Sequence, residues 1–336
     1  MEKEVDIVAL GELLIDFTEA GVSKDGQKLF EQNPGGAPAN LLTVASHMGY
    51  KTAFVGKVGR DMHGAFLKKT LQKEGICTDY IIEDEDCFTT LAFVEINQNG
   101  EREFSFARKP GADTKLTKEE LDKQLLETCK IFHYGSLSLT DEPAKTAAIE
   151  AIRIAKAAGA VISYDPNYRE SLWKTKAEAI KTMKSVIHYA DVMKVSDEES
   201  VLLTGKGNYQ DALKELLNMG PAIVAITLGS DGVLLGTSDN LEQIPGVKVE
   251  AVDTTGAGDS FWGGFLSGML KNENLSDITW ENLKKCAQQG NVTAALCVGK
   301  RGGIPAVPTK DNVEKLAKRF SGIRPIQTGI RYTYRG

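Results

Sequence analysis

The sequence predicts an α/β fold: a doubly wound, mainly parallel β-sheet flanked by helices, with a small β-sheet lid. Three observations lead there. Strand-like and helical patterns alternate through most of the chain. Two regions, about residues 12–33 and 88–110, break that alternation with strands that have no helix between them. Finally, 336 residues that are 42% hydrophobic and 26% charged can build one large core. A single domain is expected over residues 1–320, followed by a C-terminal tail at 321–336.

Short apolar runs bounded by turn residues give strands at 5–10, 53–58, 131–134, 160–164, 192–195, 223–228 and 233–236. Helical periodicity lies between many of them, at 143–158, 176–188 and 211–219, and again at 282–297. Segments 91–96 and 103–106 alternate around Asn97-Gln-Asn-Gly100, a hairpin signal. Strands without an intervening helix must bury their apolar face elsewhere. The 12–33 and 88–110 regions are therefore expected to project together over the carboxyl ends of the main strands. Residues 247–252 also alternate like a strand, and Phe261, Phe265, Leu266, Met269 and Leu270 then repeat at helical spacing. This order sets Gly256 and Gly258 at a strand-to-helix turn.

Composition narrows the chemistry. A formal net charge of -6, with Lys and Arg scattered, argues against an electrostatic nucleic-acid binder. The five cysteines (Cys77, Cys87, Cys129, Cys286 and Cys297) form no CxxC and suit a reducing compartment. The first residues lack a signal-peptide core and no apolar run can span a bilayer, so the expected location is cytoplasmic. A weakly basic stretch at 319–335 suits either a docking segment or a frayed end. There is no Gly-x-x-x-x-Gly-Lys-Ser/Thr and no HExxH, and Phe261 stands where Gly-x-Gly-x-x-Gly needs its third glycine. Cys129 and His133 read as structural rather than as metal ligands.

The most informative segment is Asp253-Thr-Thr-Gly-Ala-Gly-Asp-Ser-Phe-Trp-Gly-Gly-Phe265. Backbone N–H groups at Gly256, Ala257 and Gly258 would converge at the positive end of a helix dipole, where an anion is stabilised. Asp259, just beyond, is placed to take a proton from a hydroxyl attacking a phosphate held by that turn. The same residues also suit a structural turn with Asp259 capping the helix. Asn33-Pro-Gly35-Gly36-Ala-Pro-Ala-Asn40 enters a second helical pattern; its glycines permit close approach to a ligand, and Asn40 offers a donor and acceptors. An ordinary loop entering an amphipathic helix reads equally from these residues alone.

Together the two segments resemble the two diagnostic motifs of the ribokinase-like (PfkB) carbohydrate kinases, in the family's order. The resemblance covers residues 5–309 and within the family runs to the fructokinases, through Gly11-Glu-Leu-Leu-Ile-Asp16-Phe, Phe104-Ser-Phe-Ala-Arg108-Lys-Pro-Gly-Ala-Asp113 and Ser163-Tyr-Asp-Pro-Asn-Tyr-Arg169-Glu-Ser-Leu-Trp173. It implies ATP-dependent phosphorylation of the 6-hydroxyl of D-fructose, with Mg²⁺ and K⁺, in a homodimer joined through the lid. Asp259 is implied as general base and Gly256, Ala257 and Gly258 as the anion hole. Asp16, Gly35, Gly36, Asn40, Arg108, Arg169 and Asp259 are implied at the sugar, and Lys194, Thr227, Gly229, Gly232, Gly256, Gly258 and Asn291 at ATP. Glu199 is implied to organise Mg²⁺ through ordered water, although Ser196 replaces the asparagine of the family's Asn-x-x-Glu element. Asp253, Thr255 and Gly302 are implied to hold the monovalent cation. A 2-keto-3-deoxygluconate kinase is the neighbouring alternative, and a sugar-sensing module without catalysis is the alternative of another class.

Overall fold

The computed structural model describes residues 3–96, 102–272, 274–275 and 277–320; the expected hairpin turn at 97–100 and the C-terminal tail lie outside the described residues. From the amino terminus, β1 (Val5–Leu10) runs through β2 (Leu14–Val22) and β3 (Lys28–Gly35) into α1 (Ala37–His47), β4 (Thr52–Gly59), α2 (Met62–Lys73) and β5 (Ile81–Asp84). Next come β6 (Leu91–Ile96), β7 (Arg102–Ala107), α3 (Lys123–Thr128), β8 (Cys129–Gly135), α4 (Ala144–Ala157), β9 (Val161–Asp165), α5 (Lys176–Ile187) and β10 (Val192–Ser196). The remainder is α6 (Asp197–Thr204), α7 (Tyr209–Asn218), β11 (Ile223–Thr227), β12 (Val233–Gly236), β13 (Leu241–Ile244), α8 (Ala257–Met269), α9 (Trp280–Val298) and α10 (Lys310–Phe320).

The large sheet has the order β13-β12-β11-β10-β9-β8-β1-β4-β5, parallel except where β12 and β13 turn back as an antiparallel edge. Helices cover both faces, so its central strands are largely apolar, with a few buried polar residues such as His133 and Lys194, and sort their side chains by parity. In β1, Val8 and Leu10 join the core with α4 and α5, while Ile7 and Ala9 join the opposite core with α1 and α8. On that second face α8 is held very close to its neighbours. A Cβ on Gly263 would lie 2.8 Å from the Leu41 carbonyl oxygen of α1, and one on Gly264 would lie 2.6 Å from Thr293 Oγ1 of α9. Glycine thus lets the helix bearing Asp259 wedge between two others.

The two regions that break the alternation do form a separate sheet, with order β3-β2-β6-β7. Leu91 pairs with Ala107 and Ile96 with Arg102, in antiparallel register. β2 and β6 run parallel, joining the two hairpins into one layer. The lid is rooted on α2. Asp61 caps that helix by accepting the His63 and Gly64 amides at 2.9 and 2.8 Å, and it also accepts the Thr89 amide at 2.8 Å and the Thr89 hydroxyl at 2.9 Å.

One expected strand does not form. Residues 247–252 are irregular, and the edge strand is instead β13. Val247 packs against a small apolar cluster but Val249 and Val252 are exposed, so most of the alternation has no apolar layer to bury against; the backbone is tied to α9 where the Val252 and Asp253 amides both donate to the Val298 carbonyl. Cys129 and His133 are structural as expected. Cys129 Sγ donates to the Leu126 carbonyl, and burial followed by the nearby Lys194 charge holds His133 down at about 3, a neutral ring bonded to Ser163 Oγ.

Candidate active site

A cleft of about 820 Å³ opens at the carboxyl ends of the parallel strands, where doubly wound sheets place their ligands. Its lining follows the strand ends: Glu12 beyond β1 with Asp16 on β2, Asn167 and Arg169 beyond β9, Ser196 and Glu199 at and beyond the end of β10, Thr227 and Gly229 at and beyond the end of β11. The first turn of α8, Gly256 to Asp259, closes one wall.

Asp259 is 9% exposed and fixed from both sides. Asn40 Nδ2 donates to its Oδ2 at 2.8 Å and Asn167 Nδ2 to its Oδ1 at 3.1 Å. Burial and then the Asp165 charge raise its pKa to about 6, against the opposing pull of Lys194, Asn40 and Arg169. It is therefore ionised at neutral pH yet more basic than an ordinary aspartate, which suits a general base. Gly256 caps the helix at φ +72, with no side-chain cap. The Ala257 amide donates to the Thr254 carbonyl, so it does not serve the anion hole as expected. Among the described residues, the amides of Gly258 and Asp259 have no protein acceptor and face the dipole's positive end.

Lys194 stands beneath this cradle. It is 5% exposed and bonded to Asp165 at 2.9 Å, and its Nζ lies 2.8 Å from where a Cβ on Gly258 would sit. Burial works against its charge, but Asp165, Glu199 and Asp259 outweigh burial and raise its pKa above the ordinary lysine value. A fixed ammonium and two amides without protein acceptors thus border the same part of the cleft.

Of the residues expected at a sugar, Asp16, Gly36 and Asn40 line the cleft. Asn40 Oδ1 is buried with no partner among the described residues, an acceptor suited to a hydroxyl donor. Gly35 does not line the cleft; a Cβ there would meet Asp16 Oδ2 at 2.2 Å, so this glycine makes room for the carboxylate. Arg108 also departs from expectation. It lies buried behind the cleft wall with its donors occupied, so it is not presented to a sugar. Arg169 is exposed and does line the cleft.

Of the residues expected at a nucleotide, Thr227 and Gly229 line the cleft, whereas Gly232 and Asn291 do not. Gly232, at φ +97, closes the turn from β11 to β12, where a Cβ would meet the Ile244 carbonyl oxygen at 2.1 Å. Asn291 Nδ2 donates to the carbonyls of Ile244 and Pro245 at 3.2 and 2.9 Å, bracing the same edge. Ser196 caps α6 in a reciprocal box with Glu199. Glu199 Oε2 accepts the Ser196 amide at 2.8 Å and Oε1 the Tyr168 amide at 2.7 Å. Replacing asparagine with serine therefore preserves the turn that aims Glu199.

No group of three metal-ligating side chains is assembled among the described residues. Glu199 in the cleft suits a Mg²⁺ bound chiefly by phosphate oxygens and water. The expected monovalent-cation residues do meet: Asp253 accepts the Thr255 amide at 2.8 Å and the Gly302 amide at 3.0 Å, beside a small cavity they line with Asp16 and Asn33.

Three site residues were not singled out from the sequence: Glu12, Asp165 and Asn167. All lie in segments that carry the resemblance. Among the described residues Asn167 is the non-glycine with positive φ, +47, a conformation that persists where the surroundings enforce it. Glu12 Oε1 accepts the Ala37 amide at 2.8 Å, and burial above all raises its pKa to about 7.

The layered sheet, the lid and a carboxylate beside an anion cradle define a carbohydrate kinase, and the chain belongs to the pfkB family of carbohydrate kinases, matching its family model over residues 5–310. It is 42% identical over 318 residues to "Probable fructokinase-5" of Arabidopsis thaliana, covering 94% of this chain and 98% of that one. Among solved structures it is similar to a fructokinase from Xylella fastidiosa with bound ATP, at a TM-score of 0.88 and 30% identity over 96% of this chain and 100% of that one. It is also similar to a fructokinase double mutant from Vibrio cholerae O395 in a form with fructose, ADP and potassium ion bound, at a TM-score of 0.85 and 27% identity over 94% of this chain and 100% of that one.

Proposed function

We propose that this chain is an ATP-dependent fructokinase that phosphorylates the 6-hydroxyl of D-fructose. The observation that carries this reading is Asp259, ionised and held by Asn40 and Asn167 beside the Gly258 and Asp259 amides and the buried Lys194. Relatives named as fructokinases, including structures with ATP and with fructose, ADP and potassium ion, support the substrate pair.

In this mechanism Asp16 and Asn40 orient the sugar, and Asp259 removes the hydroxyl proton as the oxygen attacks the γ-phosphate. The Gly258 and Asp259 amides, with Lys194, stabilise the charge on the transferring group. Mg²⁺, organised by Glu199 through water, offsets phosphate charge when bound. Asp253, Thr255 and Gly302 would hold a potassium ion that braces the cradle from behind. The four-stranded sheet acts as a lid that excludes water from the transfer. The face of that sheet opposite Asp16 carries the stacked pair Phe17 and Phe93, with Phe93 and Val22 exposed, which suits a homodimer joined through the lids. No helix among the described residues is long and apolar enough to cross a membrane. The five cysteines are free, which suits a reducing compartment, and on that ground we place the enzyme in the cytoplasm.

ATP-to-ADP turnover measured with fructose, ribose, 2-keto-3-deoxygluconate, glucose and adenosine tests the reading. Fructose-dependent turnover that Asp259→Asn lowers by about 10² or more is expected. A loss below about tenfold removes the general-base assignment. Sugar binding without turnover would make the protein a sensor.

A further inference from the structure

The buried guanidinium nearest the sugar end is bound by a carboxylate of the protein itself. Resting on the sugar-kinase reading, we propose that Asp113 and Glu12 are specificity determinants that restrict this site to uncharged sugars. Asp113 withholds Arg108 from the substrate, and Glu12 adds a carboxylate to the cleft wall.

Arg108 stands where the chain leaves β7 and returns from the lid. Its Nε donates to Asp113 Oδ2 at 2.8 Å, and Nη2 lies 2.7 Å from the same oxygen. Nη2 also donates to the Leu137 carbonyl and Nη1 to Thr140 Oγ1, each at 2.9 Å. Leu137 lines the cleft, so the guanidinium lies just behind the wall. Asp113 is held from its other side by the Thr90 hydroxyl. Glu12 is 3% exposed, lines the cleft and interacts electrostatically with both Asp113 and Arg108, so the three form one cluster.

When ionised, that cluster carries two negative charges and one positive, and Asp16 and Asp259 line the cleft with it. The cations lining the cleft are Arg169, Lys176 and Lys194, carried by the β9 exit, α5 and β10, on the far side of β8 from the β1 exit that bears Glu12. A carboxylate on a sugar seated against Glu12 would lose water, meet like charge in a low-dielectric site and find Arg108 already paired. A neutral polyol faces none of these costs and supplies the hydroxyl donors that carboxylates accept.

The test compares parent, Glu12→Gln and Asp113→Asn at pH 8, where Glu12, with a pKa of about 7, is charged. Glu12→Gln keeps an acceptor for the Ala37 amide and removes the charge. Asp113→Asn leaves Arg108 only the exposed Asp141 carboxylate, 4.0 Å from Nη1, as its paired counter-charge and can cost folding, so thermal melts accompany both and Glu12→Gln carries the test if Asp113→Asn fails to fold. The readout is kcat/KM for fructose, ribose and glucose against 2-keto-3-deoxygluconate, with the acid also titrated as a competitive inhibitor. We expect the acid-to-neutral ratio to rise about tenfold or more in each folded variant. A ratio within about twofold of the parent in the folded variants overturns the inference while leaving a fructose-active parent intact. A parent that prefers the acid overturns both readings. A parent that prefers another neutral sugar removes fructose alone and supports the charge rule.

Discussion

In the proposed mechanism Asp259 is the base, and its surroundings would set its working pH. A base must be ionised to accept a proton, so kcat/KM is expected to fall with a slope near one as pH drops below about 6, the raised pKa of this carboxyl. An acid limb nearer pH 4 would show that burial does not tune the base. The stability sign is opposite: the folded pKa lies above the ordinary 3.8, so the group favours folding at low pH and that contribution is lost as pH rises through about 6. Activity is thus available where this carboxylate costs stability. Gly258→Ala gives a second prediction. Its Cβ would lie 2.8 Å from Lys194 Nζ, so the lysine must move out of the cradle; kcat is expected to fall about tenfold or more, with a smaller change in KM for fructose, in steady-state assays. Parent-like kcat would mean that the ammonium is not aimed at the transferring group. The placement of Asp259, Asn40 and Glu199 at one cleft was legible in the sequence because each sits in a compact motif whose turn is locally encoded. Asp165 and Asn167 were not, since their role arises only when β9 and α8 are brought together across the sheet.

At the scale of elements, alternation revealed most of the sheet because buried parallel strands and their covering helices leave strong periodic signals. It misplaced the edge. Residues 247–252 carry the pattern of a strand with little apolar layer to pack on, whereas Leu241–Ile244, largely exposed, pairs only because β12 offers its free edge. Gly232 and Asn291 were assigned to ATP by resemblance, but here their geometry serves that same edge. Asp61 joins α2 to the root of the lid with four hydrogen bonds, two of them helix caps. Asp61→Ala is expected to cost about 2 kcal/mol in urea denaturation and to raise KM for the sugar, since Thr89 leads directly into β6. A cost below about 0.5 kcal/mol with unchanged KM would show that the lid root is held elsewhere.

Across the whole molecule, the lid's exposed aromatic face bears on assembly. Phe93 stacks on Phe17 at 5.3 Å and meets Phe30 edge-on at 5.9 Å, yet remains 37% exposed. If two lids join there, sedimentation should find the parent dimeric and Phe93→Glu monomeric, with weakened sugar binding because the lid loses its support. A monomeric parent would leave the lid working alone. The hydrogen bond from Asn40 to Asp259 closes the active site across 219 residues of sequence. At a synthesis rate of about 5–20 residues per second, roughly 10–40 s separate the arrival of these two partners. During that interval the nascent chain holds a sugar wall without a base, and β1 waits for β8 in the middle of an unfinished sheet. Neither sugar nor ATP can lend its binding energy to early folding. The ligands act as stabilisers only of the finished protein, and their help in refolding should be seen in the last step rather than in the collapse that precedes it.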